Sequence, residues 1–127
     1  MWRNQAPVWA ALLLGAAFLL LGLGFCIAPE RGAWLFGIEA ADRTALAYVR
    51  ALGFRDIALS FYIFGLLPLG ARGGLSVVLA TSIIIPACDI ALVAALTGTT
   101  SAGSLMLHLA AAFVLLAVAL WLRLSRG

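Results

Sequence analysis

Four long apolar stretches alternate with short polar ones along the chain. They cover residues 7–27, 43–69, 75–96 and 104–124. Each reaches about 20 residues, the length that an α-helix needs to cross the hydrocarbon core of a bilayer. The pattern therefore predicts an all-α integral membrane protein, a four-helix bundle that forms a single transmembrane domain over residues 1–127.

The connections between these stretches carry the signals that end and begin helices. Pro29 ends the first predicted helix, and Asp42 is placed to cap the second. Between them, residues 28–42 mix charges with aromatic and aliphatic side chains, which predicts a short interfacial segment in the headgroup region between helices 1 and 2. A glycine-rich turn at 70–74 and a small polar turn at 97–103 separate the remaining helices.

Composition agrees with this interpretation. Hydrophobic residues make up 65% of the chain and charged residues 10%, with a mean hydropathy of +1.16, so the bilayer is the expected solvent. The chain has a net charge of +3, but its sequence contains no basic run with interleaved aromatic residues. We therefore expect no nucleic-acid partner. Cys26 and Cys88 fall at depths about 12 Å apart by helical rise. We expect both to be free thiols, because a disulfide needs a closer approach.

Arginine placement predicts the orientation in the membrane. One side of the four predicted spans carries four arginines and no acidic residue, namely Arg3, Arg72, Arg123 and Arg126. The other side mixes both signs of charge, in Glu30, Arg31, Glu39, Asp42 and Arg43. The positive-inside rule then places both termini in the cytoplasm, with the protein in the plasma (inner) membrane.

Ionisable residues inside the predicted spans mark the candidate site. The second span contains Arg50, Arg55 and Asp56, the third contains Asp89 and the fourth contains His108. Charges in the bilayer are costly and rare, and they usually serve a function. The helical rise of 1.5 Å per residue puts all five in the outer half of the membrane. The packing of the four helices can therefore bring them into one cavity.

Helical phase extends this set of residues. Gly53 and Ser60 share a stripe with Asp56, and Tyr48 shares a neighbouring stripe with Arg55. Ser82 and Pro86 share a face with Asp89, and Ser104 shares one with His108. The predicted catalytic residues are Asp56, Asp89, His108 and Arg55, and the predicted substrate-binding residues are Arg50, Tyr48, Gly53, Ser60, Ser82 and Ser104.

Each residue also has a purely structural interpretation. Asp56 and Asp89 can be ion-pair partners of arginines, and His108 can be a hydrogen-bonded packing residue. Arg50 can extend to the headgroups. These alternatives stay open, although five ionisable residues at one depth favour a functional site. One histidine and two aspartates on three helices match no familiar ligand spacing, so we expect neither a metal nor a cofactor.

Three features occur in order along the chain: the run Arg50-Ala-Leu-Gly-Phe-Arg-Asp-Ile-Ala-Leu, then Pro86-x-x-Asp89, then His108. In these features the chain resembles a family of small four-helix membrane proteins catalogued as domain of unknown function 4267. The resemblance covers nearly the whole chain and implies a four-span fold. It implies little about activity, because no function is settled for the family. The layout is also similar, in topology, to the DoxX-like small membrane proteins.

Three functions are compatible with these observations. The favoured one is a metal-independent acid–base enzyme that isomerises or cyclises a lipophilic small molecule or opens its epoxide. In that case Asp56 and Asp89 divide the acid and base roles. The alternative is a non-catalytic lipid- or quinone-binding subunit of a membrane complex. For either function, the chain could also form a homo-oligomer through helix faces made of small residues. A small proton-coupled transporter fits less well, because the first predicted span carries no charge.

Overall fold

The structure, a computed structural model, describes residues 5–125, most of which lie in six α-helices. In chain order these are α1 (Ala6–Ile27), α2 (Pro29–Phe36), α3 (Arg43–Leu66), α4 (Arg72–Ser82), α5 (Ile84–Thr97) and α6 (Ala102–Leu124). No strand occurs among the described residues. The predicted all-α class is therefore confirmed.

Three helical segments of the described chain are long and apolar enough to cross a membrane. They are α1, the consecutive pair α4 and α5 over Arg72–Thr97, and α6. The 24-residue helix α3 has the necessary length but is not one of them, because it carries Arg43, Arg50, Arg55 and Asp56. Its start matches the prediction: the Asp42 carboxylate accepts hydrogen bonds from two backbone N–H groups of the first turn, each at 2.9 Å.

Helix boundaries differ from the prediction around the glycine-rich turn. α3 ends at Leu66 rather than at residue 69, because residues 67–70 form a turn in which Gly70 has a φ of +66°. α4 begins at Arg72 rather than at residue 75, so Gly73 and Gly74 lie inside its first turn. The predicted turn over 70–74 is thus too long. One glycine in the left-handed conformation is enough to reverse the chain there.

The third predicted helix is divided at Ile83. α4 ends at Ser82 and α5 begins at Ile84, and Pro86 lies in the first turn of α5. A proline has no N–H to donate to the carbonyl four residues earlier, which here belongs to Ser82. The interruption therefore falls where the proline removes a hydrogen bond from the helical ladder.

Two close helix contacts organise the packing. α1 runs along α3, and α6 runs along α4 and α5. Gly22 and Gly53 face each other in the first pair, where a Cβ atom on either would come within 2.6 Å of the other's carbonyl oxygen. In the second pair, the Ser76 hydroxyl donates a hydrogen bond of 2.8 Å to the carbonyl of Ala119. Direct contact between α3 and α5 is slight.

The largest apolar core lies at the end of the molecule opposite α2. Its buried members come from α1, α3, α4 and α6: Ala11, Ile63, Leu75, Leu79, Leu115, Val118, Ala119 and Leu122. In a bilayer, close packing of such side chains stabilises the contacts between helices. A smaller apolar cluster of Phe25, Ala33 and Val49 joins α1, α2 and α3 at the other end.

The connection after α1 is more ordered than the sequence indicated. Residues 29–36 form the helix α2 directly after the end of α1, and Gly37, with a φ of +100°, ends it. The side chain of Trp34 is exposed, as expected of an interfacial anchor, but Phe36 is only 5% exposed. Not all of the aromatic side chains of the predicted interfacial segment therefore face the headgroups, because Phe36 packs against His108 of α6.

Candidate functional site

Arg55, Asp56, Asp89 and His108 meet near the middle of the molecule. The Arg55 Nε atom lies 3.1 Å from Asp56 Oδ1, and its Nη1 atom lies 3.5 Å from Asp89 Oδ1. Both carboxylates are nearly inaccessible, with side-chain exposures of 7% for Asp56 and 12% for Asp89. A single guanidinium therefore bridges α3 and α5 across the region where these helices hardly touch.

His108 joins this cluster through a defined tautomer. Its Nε2 atom lies 3.0 Å from the carbonyl oxygen of Phe36, and its Nδ1 atom lies 3.8 Å from Asp89 Oδ2. A carbonyl oxygen only accepts hydrogen bonds, so Nε2 carries a hydrogen and donates it. Nδ1 then approaches the carboxylate favourably only when a proton resides on Nδ1 or on Asp89. Nδ1 is therefore the ring atom of His108 that faces Asp89 and the rest of the cluster.

The charges of the four groups partly offset one another. The Arg55 guanidinium lies beside both carboxylates, so one positive charge faces two negative ones. An uncompensated charge in a poorly solvated site is costly, so this shared cation stabilises the two buried carboxylates.

The four groups border a cavity of about 80 Å³. This volume corresponds to roughly two or three water molecules at 30 Å³ each. The rest of the wall is almost wholly apolar and includes the rings of Phe18, Phe25 and Phe36. Ser82 also lines the cavity, but its hydroxyl donates to the Val78 carbonyl at 2.7 Å. The cavity thus offers acid–base groups on one side and apolar surface on the others.

Several residues predicted to bind substrate lie away from this cavity. Tyr48 is 72% exposed on the outside of α3, and Arg50 is also exposed, with its Nε atom donating to the Cys26 carbonyl at 3.3 Å. Arg50 therefore satisfies a carbonyl in the last turn of α1. Tyr48 is uncovered because no described helix packs over its side of α3.

Gly53, Ser60 and Ser104 have packing contacts. Gly53 lies against Gly22 in the contact between α1 and α3. Ser60 is fully buried and donates to the Ile57 carbonyl at 2.7 Å. Ser104 lies beside Gly37, in the contact between α6 and the end of α2. Of the six predicted substrate-binding residues, only Ser82 borders the cavity.

Comparison with known proteins relates this arrangement to one family. The family described as Domain of unknown function (DUF4267) matches residues 15–122, which include all four clustered residues. The chain belongs to this family. No curated protein and no solved structure matches the chain significantly. The resemblance seen in the sequence is thereby confirmed, and membership assigns no activity.

Sequence reasoning missed the part of this DUF4267 site that comes from α2. Leu35 and Phe36 line the cavity, and the Phe36 carbonyl fixes His108. The sequence contains signals for this short helix: Pro29 suits the first helical position, and Gly37 suits the left-handed conformation just after a helix. The interpretation of residues 28–42 as an interfacial segment did not use these two signals.

Proposed function

We propose that the protein spans the plasma (inner) membrane four times, as a four-helix bundle of α1, α3, α4–α5 and α6. The pairing of Arg55 with Asp56 and Asp89 supports α3 as the fourth span, because paired charges inside a bundle avoid lipid. Arg43 and Arg50 lie toward its N-terminal end, from which long side chains extend to headgroups.

Both termini lie in the cytoplasm in this proposal. Arg72 at the start of α4 and Arg123 in the last turn of α6 support it, since they belong to the same end of the bundle. Arg3 and Arg126, on which the prediction also rested, lie outside the described residues. Reporter fusions in the 28–42 segment and at the C-terminus test the orientation, and an extracellular C-terminus would contradict it.

The function that the geometry supports best is acid–base catalysis on a lipophilic small molecule. The observation that carries this proposal is the meeting of Asp56, Asp89 and His108 at one apolar cavity, with His108 Nδ1 3.8 Å from Asp89 Oδ2. Proton transfer needs a donor and an acceptor held at a substrate, in a site with little water. A substrate dissolved in the membrane would reach this site without passing through water.

Isomerisation illustrates how the residues would work. Asp56 binds Arg55 through Oδ1, and its Oδ2 has no protein donor among residues 5–125. In this mechanism Oδ2 accepts a proton from one carbon of the substrate while the Asp89–His108 pair donates a proton to another. The formula of the substrate is unchanged, and a double bond has moved. Arg55 holds both carboxylates in place, and its guanidinium does not exchange a proton at neutral pH.

Deuterium incorporation tests this proposal even while the substrate is unidentified. The purified protein in lipid nanodiscs is incubated in D₂O with lipophilic extracts of the cells that encode it, and products are analysed by mass spectrometry. We expect at least one compound to gain deuterium with the wild type and not with Asp56→Asn or Asp89→Asn. Gly24→Ala is the control, because nothing lies within 4 Å of its added carbon.

The alternative proposal is a non-catalytic lipid- or quinone-binding subunit. The apolar wall of the cavity supports it, because the rings of Phe18, Phe25 and Phe36 suit contact with part of a lipid or quinone. Native mass spectrometry of the same preparation separates the two. A compound that stays bound and unlabelled in D₂O, equally with wild type and Asp56→Asn, would favour binding without catalysis.

A further inference from the structure

A second and much larger hollow lies at the α2 end of the molecule. This outer groove has a volume of about 1110 Å³ and is bordered by α2, the segment that follows it, and the α5–α6 turn. Its volume slightly exceeds the range of about 300–1,000 Å³ typical of sites for small molecules. The groove can therefore hold the bulk of a lipophilic molecule that the 80 Å³ cavity cannot.

The outer groove and the inner cavity share part of their walls. Leu35 of α2 and Leu107 of α6 line both. Leu107 directly precedes His108, and Leu35 directly precedes Phe36, whose carbonyl accepts the hydrogen bond from His108. Only these two flexible aliphatic side chains are common to both walls as the structure describes them. Rotation of a leucine side chain needs no backbone movement and is fast.

The charges of the groove select its occupant. Glu30 and Glu39 are the charged residues of its described wall, and no arginine lines that wall. Both carboxylates are exposed, and ionised carboxylates only accept hydrogen bonds. An ammonium group supplies both positive charge and donors, whereas a carboxylate or phosphate headgroup is repelled. The remaining wall includes Trp34 and several aliphatic side chains, which suit an alkyl chain, and four hydroxyl-bearing residues beside the α5–α6 turn, Thr97, Thr100, Ser101 and Ser104.

We infer that the outer groove binds a long-chain amine, with its ammonium group beside Glu30 and Glu39 and its alkyl chain passing between Leu35 and Leu107 into the inner cavity. This inference rests on the proposed function, since it names the substrate class of the same acid–base site. It explains how a cavity of about 80 Å³ can serve a larger molecule, because only the reacting part of the chain enters.

The fluorescence of Trp34 measures occupancy of the groove. In a chain whose other tryptophans are replaced by phenylalanine, reconstituted in zwitterionic nanodiscs, dodecylamine, dodecanol and dodecanoate are titrated separately. An exposed ion pair contributes up to about 1 kcal/mol, so the amine should bind roughly fivefold more tightly than dodecanoate. Glu30→Gln/Glu39→Gln should remove this preference. A chain that keeps only Trp9, in α1 far from the groove, reports general partitioning into the bilayer.

Alkylation of an introduced cysteine tests the passage between the leucines. Ala111→Cys places a thiol on the cavity wall, in a chain whose Cys26 and Cys88 are replaced by alanine. Dodecylamine should slow its alkylation at least about fivefold, and dodecanoate should not. Leu107→Trp should slow alkylation without any ligand, because the larger side chain narrows the passage.

Each outcome bears on the inference. Equal affinity for amine and dodecanoate, or tighter binding of dodecanol, would overturn the assignment of a long-chain amine. Binding at Trp34 without protection at position 111 would overturn the continuity of groove and cavity. Neither result affects the deuterium test, which examines Asp56 and Asp89. If the amine binds and protects but no compound gains deuterium, the catalytic proposal fails and the binding site stands.

Discussion

Removal of the Arg55 guanidinium should destabilise the protein more than any single change at the carboxylates. Arg55→Met leaves both Asp56 and Asp89 without their shared cation, although each is nearly buried. Breaking a buried ion pair from one side costs about 3–5 kcal/mol. Asp56→Asn keeps an oxygen near Arg55 Nε and leaves the guanidinium next to Asp89, so we expect a loss of about 1–2 kcal/mol.

The double variant Arg55→Met/Asp56→Asn gives the sharper result. Independent effects would sum to roughly 4–7 kcal/mol. After both changes, however, the one remaining carboxylate is Asp89, and the imidazole of His108, 3.8 Å away, can take up a compensating proton. The double variant should therefore be no less stable than Arg55→Met alone, with a coupling of about 1–2 kcal/mol between the sites.

Unfolding of the protein in mixed micelles by sodium dodecyl sulfate, followed by circular dichroism, measures these free energies. Arg72→Met is the matched control, since Arg72 forms no ion pair within the described residues, and it should change stability by less than about 0.5 kcal/mol. An additive double variant would refute the shared-cation argument. So would an Arg55→Met variant as stable as Arg72→Met.

Two further predictions concern packing and covalent state. Gly53→Val should weaken the contact between α1 and α3 by about 1–3 kcal/mol in the same assay, because its Cβ would meet the Gly22 carbonyl at 2.6 Å, and Gly24→Val should have little effect. Cys26 and Cys88 are unpaired in the structure, so alkylation of the denatured, non-reduced protein should label two cysteines per chain. An intact bridge between them would contradict the fold.

The lengths of the apolar stretches predicted the long helices well, because a membrane-spanning helix needs a run of about 20 apolar residues, which is visible in the sequence. The cap at Asp42 was predicted for a local reason, since a carboxylate at that position satisfies backbone N–H groups whatever the tertiary fold. The division at Ile83 was not foreseen. Pro86 marked the lost hydrogen bond, but whether a helix bends or breaks depends on its neighbours.

Helical phase predicted which ionisable residues the structure brings together, but it did not predict which of their neighbours border the cavity. Asp56 and Asp89 share their sides of α3 and α5 with buried residues, and the structure places both beside Arg55. Tyr48 lies one stripe away, where α3 is uncovered, and only a side chain as long as arginine reaches inward from there. Periodicity identifies a face of one helix. It contains no information about which face a second helix covers.

The break at Ile83 divides the third predicted span into two helices, α4 and α5, which have different packing contacts. α4 is fixed by the Ser76–Ala119 hydrogen bond and by the large apolar core, whereas α5 packs along α6 and meets α3 mainly through Arg55. The distance between Asp56 and Asp89 therefore depends on two contacts, the packing of α5 against α6 and the ion pairs of Arg55. A substitution in the interface between α5 and α6 would thus alter the candidate site without changing any of its four polar groups.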